Sequence, residues 1–169
     1  AHVADAVRPL QGAGVARVHR HRFGLAAGGH SRRVLGLLGG LQPFEGIERQ
    51  GNPWRLPARD RMAWADGLDV PTMAEKEHVD VLYWVGCAPS YDDRSKRVAR
   101  TMIELFTRAG VDFAVLGEEE TCTGYPARRM GEELLFQEMA KTNVGTFGQY
   151  TFKRLVTTCA HCYNTIKNE

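Results

Sequence analysis

The chain closes on LVTTCAHCYNTIKNE, in which Cys159 and Cys162 form a CxxC pair behind a β-branched run and at the start of a helical stretch. Three chemistries use such a pair: a redox dithiol, half of a zinc site, or two ligands of a larger cluster completed from upstream. Haem attachment is excluded, because Tyr163 rather than histidine follows Cys162. Two more cysteines stand upstream, Cys87 in VGCAPS and Cys122 in ETCTGY, each close to a glycine, Gly86 or Gly124. Thiolates select soft metals, so the four suit structural zinc or an iron–sulfur cluster. Zinc modules usually take ligands in two close pairs, whereas here only Cys159 and Cys162 are close in sequence. Gly86 and Gly124 would let backbone approach a bulky cluster and aim N–H groups at its sulfurs. A thioredoxin-like dithiol stays open, since CAHC starts a helix whose dipole lowers a thiol pKa, but it leaves Cys87 and Cys122 without a task.

The elements around these cysteines say where they should lie. VDVLYWVG (79–86), VDFAVL (111–116) and KRLVTTC (153–159) read as buried strands. Between the first two, Val98, Met102, Leu105, Phe106 and Ala109 form a helical stripe that stops at Gly110. Leu134, Leu135, Met139 and Phe147 mark a second helix before the third strand. Strands alternating with helices imply an α/β fold, a parallel β-sheet with flanking helices. Val81, Tyr83, Val85, Val115, Leu155 and Val156 are expected to be buried. In such a sheet the carboxyl ends of all strands share one edge, so Cys87, Cys122, Cys159 and Cys162 are expected to meet there. Arg128 and Arg129, in CTGYPARR, would be either solvated surface or a charge facing the site.

The rest of the chain is less patterned. With 22 basic and 20 acidic residues, the net charge of +2 gives no argument for nucleic acid or an acidic membrane surface. No apolar run approaches the roughly 20 residues that span a bilayer. Four cysteines are too few for a disulfide-stapled secreted scaffold, which favours a reducing cytoplasm. SRRVLGLLGG has a faint twin-arginine look, but its apolar stretch is glycine-broken and no small-residue cleavage site follows. Residues 1–44 are rich in glycine and arginine, with no sustained period, and read as a poorly ordered segment in which glycines would break helices. Gly12 and Gly14 lack the rest of a dinucleotide loop, and His19, His21 and His30 lie among arginines that oppose a bound cation. Residues 45–78, with Pro53, Pro57 and Pro71, read as an irregular arm holding one short helix near 58–65, with Trp54 and Trp64 as packing anchors. The first ordered core is expected near Val79, so the third segment is 79–169.

Five separated motifs, ERQGNPW, WADGLDVPT, VLYWVGCAPSYDDR, CTGYPARR and TTCAHCYNTIKNE, carry a family resemblance over about residues 45–169. The chain resembles the cysteine-rich (CCG) domain of heterodisulfide reductase-like iron–sulfur oxidoreductases. It is most similar to the bacterial iron–sulfur reductases that take electrons from electron-transfer flavoprotein toward menaquinone. The resemblance implies an iron–sulfur electron-transfer domain with Cys87, Cys122, Cys159 and Cys162 as ligands. Thr123 stands where the fuller motif has a second adjacent cysteine, so an ordinary four-cysteine [4Fe–4S] cubane is implied. The implied partners are electron-transfer flavoprotein, a ferredoxin-type iron–sulfur module and the remainder of a parent reductase with membrane helices. That parent would bring the domain to the inner face of the membrane. The chain then reads as one incomplete copy of the domain, a fragment not competent for turnover by itself.

Overall fold

The computed structural model describes residues 42–169, with side chains from Phe44 on. The expectations for the Gly12–Gly14 loop, the histidines, the twin-arginine pattern and residues 1–41 of the glycine and arginine segment lie outside the described residues, whereas 42–44 of that 1–44 segment open a helix and bury Phe44. In chain order the elements are α1 (Gln42–Gln50), a 3₁₀ helix (Ala58–Ala65), α2 (Met73–Lys76), β1 (His78–Trp84), α3 (Cys87–Tyr91) and α4 (Asp93–Arg108). They continue with β2 (Phe113–Ala114), a 3₁₀ turn (Gly117–Glu119), α5 (Tyr125–Arg129), α6 (Glu133–Phe147), β3 (Thr151–Thr157) and α7 (Ala160–Asn168).

The three strands form one parallel sheet in the order β2-β1-β3. β1 pairs Val81 with Phe113 on one side and runs from His78 opposite Thr151 to Trp84 opposite Thr157 on the other. β2 is shorter than expected, but Val115 extends the pairing through a parallel bridge to Thr72. Residues alternate across β1 as the pleat requires. Tyr83 and Val85 pack with Trp64, Ala99, Ile103 and Phe113 on one face, while Leu82 and Trp84 pack with Met73, Leu116 and Cys162 on the other. The sheet is therefore covered by α4 and the 3₁₀ helix on one face, and by elements that include α7 on the other.

Tyr83, Val85 and Val115 are buried as expected, but Val81, Leu155 and Val156 are only half-buried. Among the described residues β3 has a strand neighbour on one side alone, so Leu155 and Val156 keep solvent contact that a central strand would lose. The stripe of α4 is also displaced. Ala99 and Ile103 are buried and Met102 and Phe106 partly so, whereas Val98 and Leu105 are 47% and 54% exposed and Ala109 is exposed. Apolar residues cover more than one row of this helix, so period alone does not fix which row faces the sheet. Asp92 caps α4 by accepting the Ser95 N–H at 2.8 Å, and Gly110 ends it at φ +65°. In α6, Leu135 and Phe136 are buried but Leu134 is 69% exposed.

The arm before β1 is more ordered than its prolines suggest. α1 forms despite Gly46 and buries Phe44 and Ile47, one turn apart, against Cys87, Cys122 and Phe136. Gly46 is there because a Cβ would meet the Asn52 carbonyl oxygen and Arg55 Cγ, each at 2.7 Å. The 3₁₀ helix over 58–65 is the short helix expected there, and it buries Trp64, while Trp54 is 42% exposed and tilts toward Tyr91. Core packing thus begins at Phe44, ahead of Val79.

Candidate metal centre

Each cysteine follows a strand of the parallel sheet. β1 ends at Trp84, and Val85 leads to Gly86, whose φ of +85° turns the backbone so that Cys87 opens α3. Cys122 follows β2 and the 3₁₀ turn. Cys159 is the N-cap of α7, and its Sγ accepts the Cys162 N–H at 3.3 Å. Cys87, Cys122 and Cys162 are buried and Cys159 is half-buried.

The four thiols stand as two pairs. Cys87 and Cys122 lie close enough to shift each other's thiol, as do Cys159 and Cys162. Gly86, next to Cys87 in the chain, faces the second pair: a Cβ on it would be 3.5 Å from the Cys162 sulfur and 3.8 Å from Cys159 Cβ. The Cys162 side chain, with the N–H groups of Cys162 and His161, brings the Cys159 thiol down to about 5. Its partner Cys162 is pushed up, first by the Cys159 side chain and then by burial. Cys87 is lowered by the Cys122 side chain and by the adjacent Arg61 charge, while Cys122 is raised.

A buried ion pair braces the first thiol pair. Arg61 Nη1 donates to Glu120 Oε1 at 2.9 Å, with 2% and 1% of the side chains exposed. Glu120 also accepts the Val85 N–H at 2.8 Å and the Gly86 N–H at 2.7 Å, which fixes the loop leading into Cys87. The Glu120 carboxyl is pushed up by burial, which outweighs the Arg61 charge and the Gly86 and Val85 N–H groups that oppose it. Burial likewise works against the Arg61 charge, and Glu120 and Cys87 outweigh it. Arg61 Nη2 reaches the Cys87 sulfur at 3.5 Å and the Gly51 carbonyl at 3.4 Å.

Backbone contacts lock the same region. The Cys122 N–H donates to the Gly51 carbonyl at 2.6 Å, and the Cys122 carbonyl accepts from Asn143 Nδ2 at 3.0 Å. Buried Asn52 donates to the Gln50 and Leu56 carbonyls and accepts the Leu56 N–H, closing the turn that presents Gly51. Ser90 Oγ donates to the Gly86 carbonyl at 2.8 Å.

Gly86 and Gly124 differ in what they do. Gly86 faces the second thiol pair. The Gly124 N–H favours the Cys122 thiolate, but the missing Cβ of Gly124 makes room for Phe136, whose Cδ2 would be 2.9 Å away. Arg128 and Arg129 are surface residues: Arg128 pairs with Glu133 and Glu169, and Arg129 with Glu169. Arg61, Glu120, Asn52, Ser90 and Asn143 were not singled out from sequence. Arg61 sits among Arg55 and Arg59, and Glu120 ends a run of three glutamates, so neither stands out until the fold joins them.

The donor set suits a thiolate-ligated group. The Cys159 sulfur already accepts a backbone N–H bond, and a buried cation adjoins the Cys87 sulfur. Among the described residues no three His, Cys, Asp or Glu side chains gather at single-ion spacing. A single zinc would draw all four sulfurs to ~2.3 Å from one point. The all-sulfur donor set, with a backbone N–H and a buried cation at its sulfurs, fits an iron–sulfur cluster.

The family profile of the cysteine-rich domain, CCG, matches residues 81–167. The chain is 42% identical over 130 residues to the probable iron-sulfur-binding oxidoreductase FadF of Bacillus subtilis, covering 73% of this chain and 18% of that one. It is 38% identical over 131 residues to the EtfAB:quinone oxidoreductase of Syntrophomonas wolfei, covering 75% and 18%. It is 29% identical over 119 residues to a subunit of the dihydromethanophenazine:CoB–CoM heterodisulfide reductase of Methanosarcina barkeri, covering 69% and 28%. The chain thus spans less than a third of each of these three relatives. No solved structure gives a significant match.

Proposed function

Because the chain belongs to the cysteine-rich domain family, we propose that Cys87, Cys122, Cys159 and Cys162 hold one [4Fe–4S] cluster that relays electrons within a larger oxidoreductase. The observation that carries this reading is the gathering of Cys87 beside Cys122 and of Cys159 beside Cys162, with Gly86 facing the Cys162 sulfur, where the strands of the sheet end. The cluster would supply reversible one-electron chemistry. The chain's own residues hold the thiols, exclude water from three of them and aim an N–H group at the Cys159 sulfur. Gly86 keeps the space beside the second pair free of side chain, and the Gly124 N–H favours the Cys122 thiolate.

The parent activity extends this reading. Similarity to an EtfAB:quinone oxidoreductase supports electron-transfer flavoprotein as donor and a quinone such as menaquinone as acceptor, through a ferredoxin-type module and the remainder of the parent protein. No helix among the described residues is long and apolar enough to cross a membrane. Any membrane contact, at its inner face, would come through that parent. Similarity to a probable membrane-anchored ferredoxin of Chromohalobacter salexigens supports this placement.

Anaerobic reconstitution with iron and sulfide tests the assignment. It should yield a brown protein with about four irons per chain and a visible band that bleaches with dithionite. A colourless protein carrying one zinc would sink it. A second reading, a CxxC dithiol oxidoreductase, draws on the Cys159 thiol held near 5 at a helix N-terminus. Under that reading Cys87→Ser leaves thiol–disulfide exchange intact.

A further inference from the structure

Arg61 carries a buried charge that thiol ligation alone does not require. Its partner Glu120 is engaged by the Val85 and Gly86 N–H groups, so the carboxylate orients the loop into Cys87 while it neutralises the guanidinium. The fork geometry leaves Nη2 free to point elsewhere, and it points at the Cys87 sulfur, 3.5 Å away. A methionine or leucine could fill the same space without desolvating a charge, and a lysine could satisfy Glu120 without reaching the sulfur.

We propose, on the basis of the cluster assignment above, that Arg61 is a positioning residue that sets the reduction potential of the centre by donating Nη2–H to the ligating Cys87 thiolate. Reduction adds one electron to the cluster and neither makes nor breaks a bond, so the added negative charge spreads onto the sulfur ligands. A charge-assisted donor on one of those sulfurs stabilises the reduced state more than the oxidised one. Glu120 keeps that donor aimed, and its own charge is covered by two backbone N–H groups. Arg128 and Arg129, paired with carboxylates at the surface, have no such geometry.

The test is a spectroelectrochemical titration of the full chain after anaerobic reconstitution, with the electrode supplying the electron and iron and sulfide measured on each sample. Two variants are compared with the parent sequence. Arg61→Lys keeps a cation for Glu120 but loses the fork. Arg61→Met with Glu120→Gln removes both charges together, so no lone buried carboxylate remains. Both should retain iron and sulfide, and the double variant should shift the reduction equilibrium tenfold or more toward the oxidised cluster, ~59 mV for a one-electron couple. Arg61→Lys should shift it in the same direction by a smaller factor. An unchanged potential in both loaded variants would overturn the proposal and leave Arg61 a purely structural brace. Loss of the cluster from both folded variants would also overturn it, because Arg61 would then be required for assembly rather than for tuning. A parent chain that takes up no iron or sulfide would instead sink the cluster assignment, and this inference with it.

Discussion

The backbone N–H of Cys122 donates to the carbonyl of Gly51 across 2.6 Å, tying a cysteine of the candidate centre to the segment that precedes the sheet. Gly51 also receives Arg61 Nη2, so one carbonyl gathers the arm, the buried ion pair and the thiol loop. The arm is therefore a wall of the site.

Displacing α1 should therefore disturb the centre. Gly46→Val is expected to force its side chain into the Asn52 carbonyl and Arg55, at a cost of ~1–3 kcal/mol in urea unfolding. Iron retention after reconstitution should fall with it. Retention equal to that of the parent chain would show that the arm is dispensable.

Gly86 offers a more local perturbation. Its φ of +85° is strained for any side chain, and a Cβ would sit 3.5 Å from the Cys162 sulfur. Gly86→Ala should lower iron content at saturation more than Gly110→Ala, whose Cβ meets nothing within 4 Å at a comparable φ of +65°. Equal losses in the two variants would mean that backbone strain alone is being read.

The displaced stripe of α4 can be checked by stability alone. Ile103→Ala should cost ~2–5 kcal/mol by urea denaturation. Val98→Ala and Leu105→Ala should each stay within ~0.5 kcal/mol, since those side chains are about half exposed. A large loss at Leu105 would contradict the helix phase.

Arg128→Gln with Arg129→Gln should leave the reduction potential unchanged and alter stability by no more than ~1 kcal/mol, because both arginines pair with carboxylates at the surface. A shift in potential would place one of them at the centre after all.

What the sequence made legible were the parts that depend on local order. The three strands and their parallel pairing follow from β-branched runs alternating with helical stretches, and the placement of cysteines just past those runs brings them to one edge. What stayed hidden depends on partners far apart in the chain. The Arg61–Glu120 pair joins two residues with nothing unusual around either, and burial is what makes the pair matter. The phase of α4 is ambiguous in sequence because Val98 and Leu105 form a plausible apolar row beside the true one. α1 escapes notice because Gly46 counts against a helix locally, yet the close approach of Asn52 and Arg55 is what demands glycine there.

Whether all four cysteines serve one group decides between a shared cluster and a separate CxxC dithiol. Cys87→Ser, Cys122→Ser, Cys159→Ser and Cys162→Ser would be reconstituted side by side under anaerobic conditions, with iron, acid-labile sulfide and the visible spectrum measured on each. A shared four-thiolate cluster predicts that every variant loses the dithionite-bleachable band and most of its iron and sulfide, Cys87→Ser as severely as Cys162→Ser. Full colour and iron in Cys87→Ser or Cys122→Ser, with loss confined to Cys159→Ser and Cys162→Ser, would contradict it.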